Sequence, residues 1–181
     1  MFHDVWRVVC SCPGVRPILA TTESGKFPIE IRPDDVWMQG EGDLGARLES
    51  ILIRALEGAP AAIAIGADSP LLSPSYLRDA SEALKTHDAV LGPTHDGGFY
   101  LLGLRKCPPG LLSGLSWSTH QTCAATVQRL EQFGFSIHYT PQLFDVNTAP
   151  DLSLLAISLF DQPGIAPATR AWLFENNFFQ H

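Results

Sequence analysis

The stretch AAIAIGADSP, residues 61–70, decides the fold of this chain. Residues 61–65 form a continuous apolar run of strand length, which predicts a central strand buried on both faces of a sheet. Asp68 follows at the carboxyl end of that strand. Because ligands of open α/β sheets bind beyond the carboxyl ends of the strands, we expect Asp68 at a ligand site. A turn or helix-initiating role is the alternative, although Ser73 is the better-placed helix cap.

Strand and helix patterns alternate on both sides of this stretch. Apolar runs predict strands at residues 6–10, 88–92, 99–104 and 135–139, with an edge strand at 29–31 in an otherwise irregular segment. Periodicity and capping signals predict helices that begin at Asp43, Ser73, Ser118 and Thr148, and a short helix within 168–179.

The order of these elements predicts the fold class. The link between residues 92 and 99 is too short for a helical crossover, so the two strands that it joins are antiparallel neighbours or are separated by a sharp bend. The whole pattern predicts an α/β protein, a three-layer sandwich with a mixed, mostly parallel sheet. We expect a single domain, residues 1–181, that ends in an aromatic tail at 163–181.

The composition is that of a globular protein. Hydrophobic residues make up 45% of the 181 residues and charged residues 17%, which excludes a disordered chain. The formal net charge of −7 argues against nucleic acid as a partner, because binding to its phosphate backbone needs a basic face. No apolar run is long enough to cross a bilayer and the N-terminus lacks a signal-peptide pattern, so we expect a cytoplasmic protein without a membrane partner.

Two further polar loops follow or adjoin predicted strands, and both could bind a ligand. Asp96, Gly97 and Gly98 fit a tight turn, but the two glycines would also let a ligand approach the backbone, with Asp96 binding hydroxyls or acting as a base. Asp145 and Asn147 could donate oxygens to Mg²⁺ or serve as plain turn residues. Both interpretations stay open for each loop.

Weaker candidates lie elsewhere in the chain. Gln39, Gly40, Gly42 and Asp43 precede a predicted helix, where glycines can host an anion or make an ordinary loop. Trp117 either stacks on a substrate or belongs to the core.

Several motifs in a fixed order resemble those of one known family. They are QGEGDLGARL at 39–48, IGADSP at 65–70, GPTHDGGFYLLGL at 92–104, WST at 117–119 and DVNTAPDL at 145–152. Together, from about residue 5 to residue 158, they resemble the DUF2064 family of glycosyltransferase-like proteins with a GT-A fold, in the nucleotide-diphospho-sugar transferase superfamily. Some members are described as arsenosugar-biosynthesis glycosyltransferases.

The resemblance implies a mechanism and a set of site residues. It implies a sugar transferase that takes a nucleotide-activated donor with Mg²⁺ or Mn²⁺. Asp68 and Asn147 would hold the metal with support from Asp145, and Asp96 would contact or deprotonate the acceptor. Aspartate is usual in the family where this chain has Asn147, and the neutral oxygen of asparagine would bind metal less tightly. The remaining substrate-binding residues that it implies are Gln39, Gly40, Gly42, Asp43, Arg47, Gly97, Gly98, Trp117 and Thr119.

The resemblance also leaves alternatives. The superfamily includes nucleotidyltransferases, and this is the alternative activity. Family members begin with a strand and a nucleotide-binding loop, whereas this chain resembles the family only from the second strand onward. A shortened chain of this kind would have an exposed sheet edge. It could then act as a non-catalytic binding module, with a homo-oligomer formed through that edge or the aromatic tail.

Overall fold

The computed structural model describes residues 1–23, 25, 27 and 29–179. The helices are α1 (Phe2–Cys10), α2 (Leu44–Leu56), α3 (Pro74–Ala83), α4 (Thr122–Gln132), α5 (Ala149–Leu159) and α6 (Pro167–Glu175). The strands are β1 (Leu19–Thr21), β2 (Val36–Met38), β3 (Ala62–Ile65), β4 (Ala89–Pro93), β5 (Phe99–Leu104) and β6 (Ile137–Tyr139). No helix in the described part of the chain is long and apolar enough to cross a membrane.

The main sheet has the strand order β3-β5-β4-β6. Strand β5 is antiparallel to both β3 and β4, while β6 is parallel to β4. The sheet is therefore mixed, as predicted, and the short link between β4 and β5 does join antiparallel neighbours. The expectation of a mostly parallel sheet is not met, because reversing β5 in the middle makes two of the three pairings antiparallel. A separate two-stranded sheet pairs β1 with β2 in parallel.

Helices cover both faces of the main sheet, which gives the expected three layers. On one face, Val90 and Leu101 pack with side chains of α1 and α3. On the other, Leu91 and Leu102 pack with Leu52 of α2 and with α4. Neighbouring residues of a strand point to opposite faces, so two-sided burial requires the continuous apolar sequences of β4 and β5. Helices α5 and α6 build a third apolar cluster of their own.

The first predicted strand is wrong, because residues 6–10 belong to helix α1. A short apolar run cannot by itself distinguish a strand from one side of a helix. Extended back to Phe2, the pattern becomes helical, with Val5 and Val9 spaced to lie on one face. The structure also has no strand at 29–31; β1 and β2 lie on either side of that segment instead.

Strand β3 occupies a different position from the predicted one. It has the sequence of a central strand, yet it is an edge strand of the main sheet, paired only with β5. Three of its four residues are partly exposed, whereas β4 and β5 are almost entirely buried. The prediction that residues 61–65 form a central strand buried on both faces is therefore wrong, and β4 and β5 are the strands buried in this way.

Of the four predicted helix caps, two are confirmed, one lies at the predicted position without a side-chain hydrogen bond, and one is wrong. Ser73 is the N-cap residue of α3, but its side chain makes no capping hydrogen bond. The Asp43 side chain accepts a hydrogen bond from the Ala46 N–H at the start of α2. Thr148 and Asp151 form the expected capping box of α5. Ser118, in contrast, caps no helix: its φ is 56°, and α4 begins only at Thr122.

A buried carboxylate joins the two ends of the described chain. Asp4 in α1 is 3% exposed and accepts hydrogen bonds from the backbone N–H groups of Ala168 and Thr169 and from the Thr169 hydroxyl. Helix α6 has no side-chain cap of its own, so Asp4 caps its first turn from another helix. In the aromatic tail, Trp172 and Phe174 are exposed.

Candidate functional site

Asp68 lies just beyond the carboxyl end of β3, as predicted, and is exposed. Its Oδ1 folds back over Gly66, where a Cβ atom would approach to 2.6 Å. Its carbonyl oxygen accepts a hydrogen bond from the Val146 N–H, which ties this loop to the one after β6. The glycine thus gives the carboxylate room, and the backbone contact brings two predicted site loops together.

Asp96 is held firmly in the turn between β4 and β5. Its Oδ1 accepts hydrogen bonds from the Thr94 hydroxyl at 2.6 Å and from the Gly98 N–H at 2.9 Å. Partial burial alone would raise the pKa of Asp96, but these hydrogen bonds to the charged form outweigh it and lower the pKa. Asp96 is therefore an ionised, fixed acceptor at neutral pH.

Asn147 links the turn of Asp96 to the loop after β6. Its Nδ2 donates to Oδ2 of Asp96 at 3.2 Å and to Oδ2 of Asp145 at 2.9 Å. Its backbone N–H donates to the Asp151 carboxylate at 3.0 Å, which also caps α5. The capping box thus fixes the backbone that presents Asn147.

Asp145 has a less favourable electrostatic environment than Asp96. Burial raises the pKa of Asp145, and the negative charges of Asp96 and Asp68 raise it further, against the lowering effect of the Asn147 hydrogen bond. The negative charges of these three aspartates, which form the acidic rim of the site, are therefore incompletely compensated. A bound cation would reduce the repulsion between them.

Asp68, Asp96, Asp145 and Asn147 all line one open cavity of about 2060 Å³. Among the described residues, no three His, Cys, Asp or Glu side chains are close enough to hold a metal ion by themselves. Mg²⁺ and Mn²⁺ are often bound through one or two carboxylates, with substrate phosphates and water completing the shell, and this chemistry fits the oxygen-rich rim. The amide nitrogen of Asn147 faces the carboxylates, so its oxygen, the ligating atom, points away from them.

The two glycines after Asp96 lie close to other atoms of the protein. Gly97 has φ 89°, and a Cβ atom there would lie 2.1 Å from the His120 carbonyl oxygen. A Cβ atom on Gly98 would lie 3.0 Å from the Thr94 hydroxyl oxygen. The space beside Gly97 is thus filled by residue 120, whereas Gly98 also lines the cavity, so both interpretations of this loop stay open.

The segment before α2 is likewise engaged in local structure. The Gln39 side chain donates to the carbonyl oxygen of Ala20, and Asp43 caps α2. Gly40 and Gly42 have positive φ, at 82° and 102°, which explains the glycines through the backbone alone. Of these residues Gln39 lines the cavity; Gly40, Gly42 and Asp43 do not.

Three other predicted ligand residues line the cavity as well: Arg47, Trp117 and Thr119. The Nε atom of Arg47 and the Nε1 atom of Trp117 are buried without a hydrogen-bond partner. The Trp117 ring packs edge-on against Phe99, with ring centroids 6.1 Å apart. The hydroxyl of Thr119 already takes part in its own turn, with Ser116 and Gln121. The Trp117 Nε1 atom lies against Gly45 of α2, where a Cβ atom would approach it to 2.6 Å.

Two site residues were missed by the sequence reasoning. Thr94 orients Asp96, and Gly66 makes room for Asp68. A hydroxyl two residues before an aspartate is a recognisable local turn signal, whereas nothing in the sequence identifies the close approach at Gly66.

The mixed sheet between helical layers, with its acidic rim at the strand ends, defines a protein with the fold of nucleotide-diphospho-sugar transferases. A candidate enzyme of that class from Desulfovibrio desulfuricans G20, known from a crystal structure, superposes with a TM-score of 0.84 at 22% identity. The alignment covers 98% of this chain and 81% of that one. No curated protein sequence matches the chain. The chain belongs to the family DUF2064, "Uncharacterized protein conserved in bacteria", whose sequence model matches residues 11–119.

Proposed function

We propose that this protein transfers a sugar from a nucleotide-activated donor with the help of Mg²⁺ or Mn²⁺. One observation carries the proposal: three loops bring Asp68, Asp96 and Asp145 to the rim of a single cavity. The likeness of the fold to nucleotide-diphospho-sugar transferases supports it. Since one fold hosts many activities, the acidic rim of the cavity supports a particular activity more directly than the fold does.

The acidic residues divide into two roles. Asp68, Asp145 and Asn147 would hold the metal, which would neutralise negative charge on the diphosphate leaving group. Holding it requires the Asn147 amide to turn its oxygen toward the carboxylates, away from its present hydrogen bonds. The cation would then replace the amide nitrogen as the group that offsets the repulsion at Asp145.

Asp96 would bind the acceptor. Its Oδ1 is occupied by Thr94 and Gly98, and its Oδ2 becomes available to a hydroxyl group of the acceptor once the Asn147 amide turns away from it. A lowered pKa makes Asp96 a weak base, and the residue therefore suits orientation of the acceptor better than full removal of a proton.

Arg47 and Trp117 would contact the donor. Both side chains line the cavity. The Arg47 guanidinium adds positive charge to a cavity that is acidic at its rim. Phosphate and sugar oxygens are acceptors of the matching kind.

Calorimetric titration with a panel of nucleoside diphosphates, with and without Mn²⁺, tests the proposal. We expect one of them to bind only when Mn²⁺ is present, and Asp68→Asn and Asp145→Asn to weaken that binding at least about tenfold, which is about 1.4 kcal/mol. Asp161→Asn is the matched control, because Asp161 is exposed and lies outside the cavity lining. Absence of metal-dependent binding across the panel would refute the proposal.

The nucleotidyltransferase alternative differs in its products. A sugar transferase releases a nucleoside diphosphate from the donor, whereas a nucleotidyltransferase releases pyrophosphate from a nucleoside triphosphate. Assaying the release of nucleoside diphosphate from nucleotide-sugars, and of pyrophosphate from the nucleoside triphosphate, with the same base as the nucleotide that binds, therefore separates the two activities.

A further inference from the structure

Ser118 has a backbone conformation that its residue type disfavours. Its φ is 56°, in the left-handed region, where the Cβ atom crowds the following carbonyl oxygen. Glycine avoids this clash, and it occupies most positive-φ positions of the described chain: Gly14, Gly40, Gly42, Gly97, Gly110, Gly114 and Gly134. A serine at such a position therefore needs an explanation.

The other two non-glycine residues with positive φ in the described chain are explained by the fold. Ala166 is 4% exposed and belongs to the apolar cluster of α5 and α6, so a glycine there would lose packing. Asn177 is of the residue type that, after glycine, enters the left-handed region most readily. Neither explanation applies to Ser118, which is an exposed serine.

The hydroxyl of Ser118 has no part in the local structure, in contrast to the hydroxyls around it. The Thr119 hydroxyl donates to the Ser116 carbonyl and accepts from the Gln121 N–H, and the Thr122 hydroxyl also donates to Ser116. The Ser118 hydroxyl makes no hydrogen bond with any described residue. The turn therefore needs the backbone conformation of residue 118 but not its side chain, and glycine would fit that conformation better.

Ser118 lies close to the turn that holds Asp96. Both residues line the same cavity. A Cβ atom on Gly97 would lie 2.7 Å from the Cα atom of His120, so residue 120 packs directly against that turn. The Cα atoms of residues 118 and 120 are at most about 7 Å apart, at 3.3–3.6 Å per residue. One small molecule in the cavity can therefore reach both Ser118 and Asp96.

We infer that the hydroxyl of Ser118 binds the sugar of the nucleotide-activated donor. This role rests on the proposed transferase function, in which the sugar lies between the diphosphate at the metal and the acceptor at Asp96. A serine hydroxyl both donates and accepts hydrogen bonds, as a sugar hydroxyl does, whereas phosphate oxygens only accept. Residues held in disfavoured backbone conformations cluster at ligand sites, and the left-handed conformation sets the direction of this side chain.

Calorimetric titration with a matched pair of ligands tests this role. The pair is the nucleoside diphosphate that binds with Mn²⁺ and the nucleotide-sugars built on it. We expect Ser118→Gly and Ser118→Ala to weaken nucleotide-sugar binding about fivefold, the effect of one lost hydrogen bond, and to leave binding of the nucleoside diphosphate unchanged. Ser113→Gly is the matched control, because Ser113 is exposed and lies outside the cavity lining, and it should affect neither ligand.

Thermal unfolding of the same variants separates binding from folding. Ser118→Gly removes the crowded Cβ atom, so it should leave Tm unchanged or raise it by up to about 4 °C. Ser118→Ala keeps the Cβ atom and should leave Tm close to that of the wild type. We therefore expect the glycine variant to bind nucleotide-sugar less tightly although it is at least as stable. A fall in its Tm would assign the serine to the fold and overturn the inference.

The remaining outcomes distinguish this role from the proposed function. Nucleotide-sugar binding that survives both substitutions overturns the role of Ser118 and leaves the transferase proposal intact. Equal weakening of both ligands also overturns it, because Ser118 would then act on the nucleotide. Weakening by glycine but not by alanine overturns it as well, since backbone freedom would then be the cause. If the wild-type protein binds no nucleotide-sugar in the presence of Mn²⁺, both proposals fail.

Discussion

Replacing Asp4 by alanine should destabilise the protein although Asp4 lies outside the cavity lining. The carboxylate accepts hydrogen bonds of 3.0, 2.8 and 2.7 Å from Ala168 and Thr169 at the start of α6. A hydrogen bond to a charged group contributes about 1.5–3 kcal/mol, and loss of a helix N-cap costs about 1 kcal/mol. These contributions overlap, so we expect a loss of about 3 kcal/mol.

Thermal and urea unfolding measure this loss. For a protein of this size, about 3 kcal/mol corresponds to a fall in Tm of roughly 6–12 °C. Thr169→Val removes the hydroxyl donor alone and should cost about 1 kcal/mol. Asp161→Ala is the control, because an exposed carboxylate should change stability by no more than about 0.5 kcal/mol. If Asp4→Ala matched that control, Asp4 would not be the cap of α6.

Three further predictions concern the turn, the sheet and the ligand. Gly97→Ala should lower the free energy of unfolding, measured in urea, by about 3 kcal/mol or more, because residue 97 has φ 89° and the new Cβ atom would clash with the backbone. Gly114→Ala is the control, since residue 114 has φ 67° but open space around it, and should lower the free energy of unfolding by about 1 kcal/mol. Equal costs would contradict the clash. The backbone and hydroxyl hydrogen bonds from Ser136 lower the pKa of Asp88, so its stabilisation is present above the ordinary carboxyl pKa and is lost as pH falls through the lowered pKa. Asp88→Asn should therefore lower Tm at neutral pH but not in strong acid; an equal deficit in acid would argue against ionisation as the cause. A nucleoside diphosphate at a hundredfold excess over its Kd, with Mn²⁺, should stabilise the protein by about 2.7 kcal/mol, and EDTA should abolish the rise in Tm. A rise that persists in EDTA would exclude a role for the metal.

The parts of the fold and site that depend on local chemistry could be predicted from the sequence. The strand-end rule located Asp68, and the capping patterns at Asp43 and Thr148 gave correct helix starts. These signals extend over a few residues, but the equally local capping pattern at Ser118 did not give a helix start.

The features that depend on distant contacts could not be predicted. The pattern of residues 61–65 indicates what the strand requires around it, but only the tertiary structure shows that β3 lacks a second neighbour. The glycine at 97 fits either a ligand or a turn until the position of His120 is known. In both cases the sequence shows what a strand or a residue needs from its surroundings. Only the tertiary structure shows which part of the chain, if any, supplies it.

The contact of Gly97 with His120 has a consequence for motion. The Gly97 carbonyl also accepts a hydrogen bond from the Cys123 N–H in the first turn of α4. The β4–β5 turn is therefore joined to the start of this helix by two backbone contacts, the approach of Gly97 to His120 and this hydrogen bond. Either element can shift alone only by breaking this hydrogen bond. We therefore expect a displacement of α4 to be transmitted to the turn that holds Asp96.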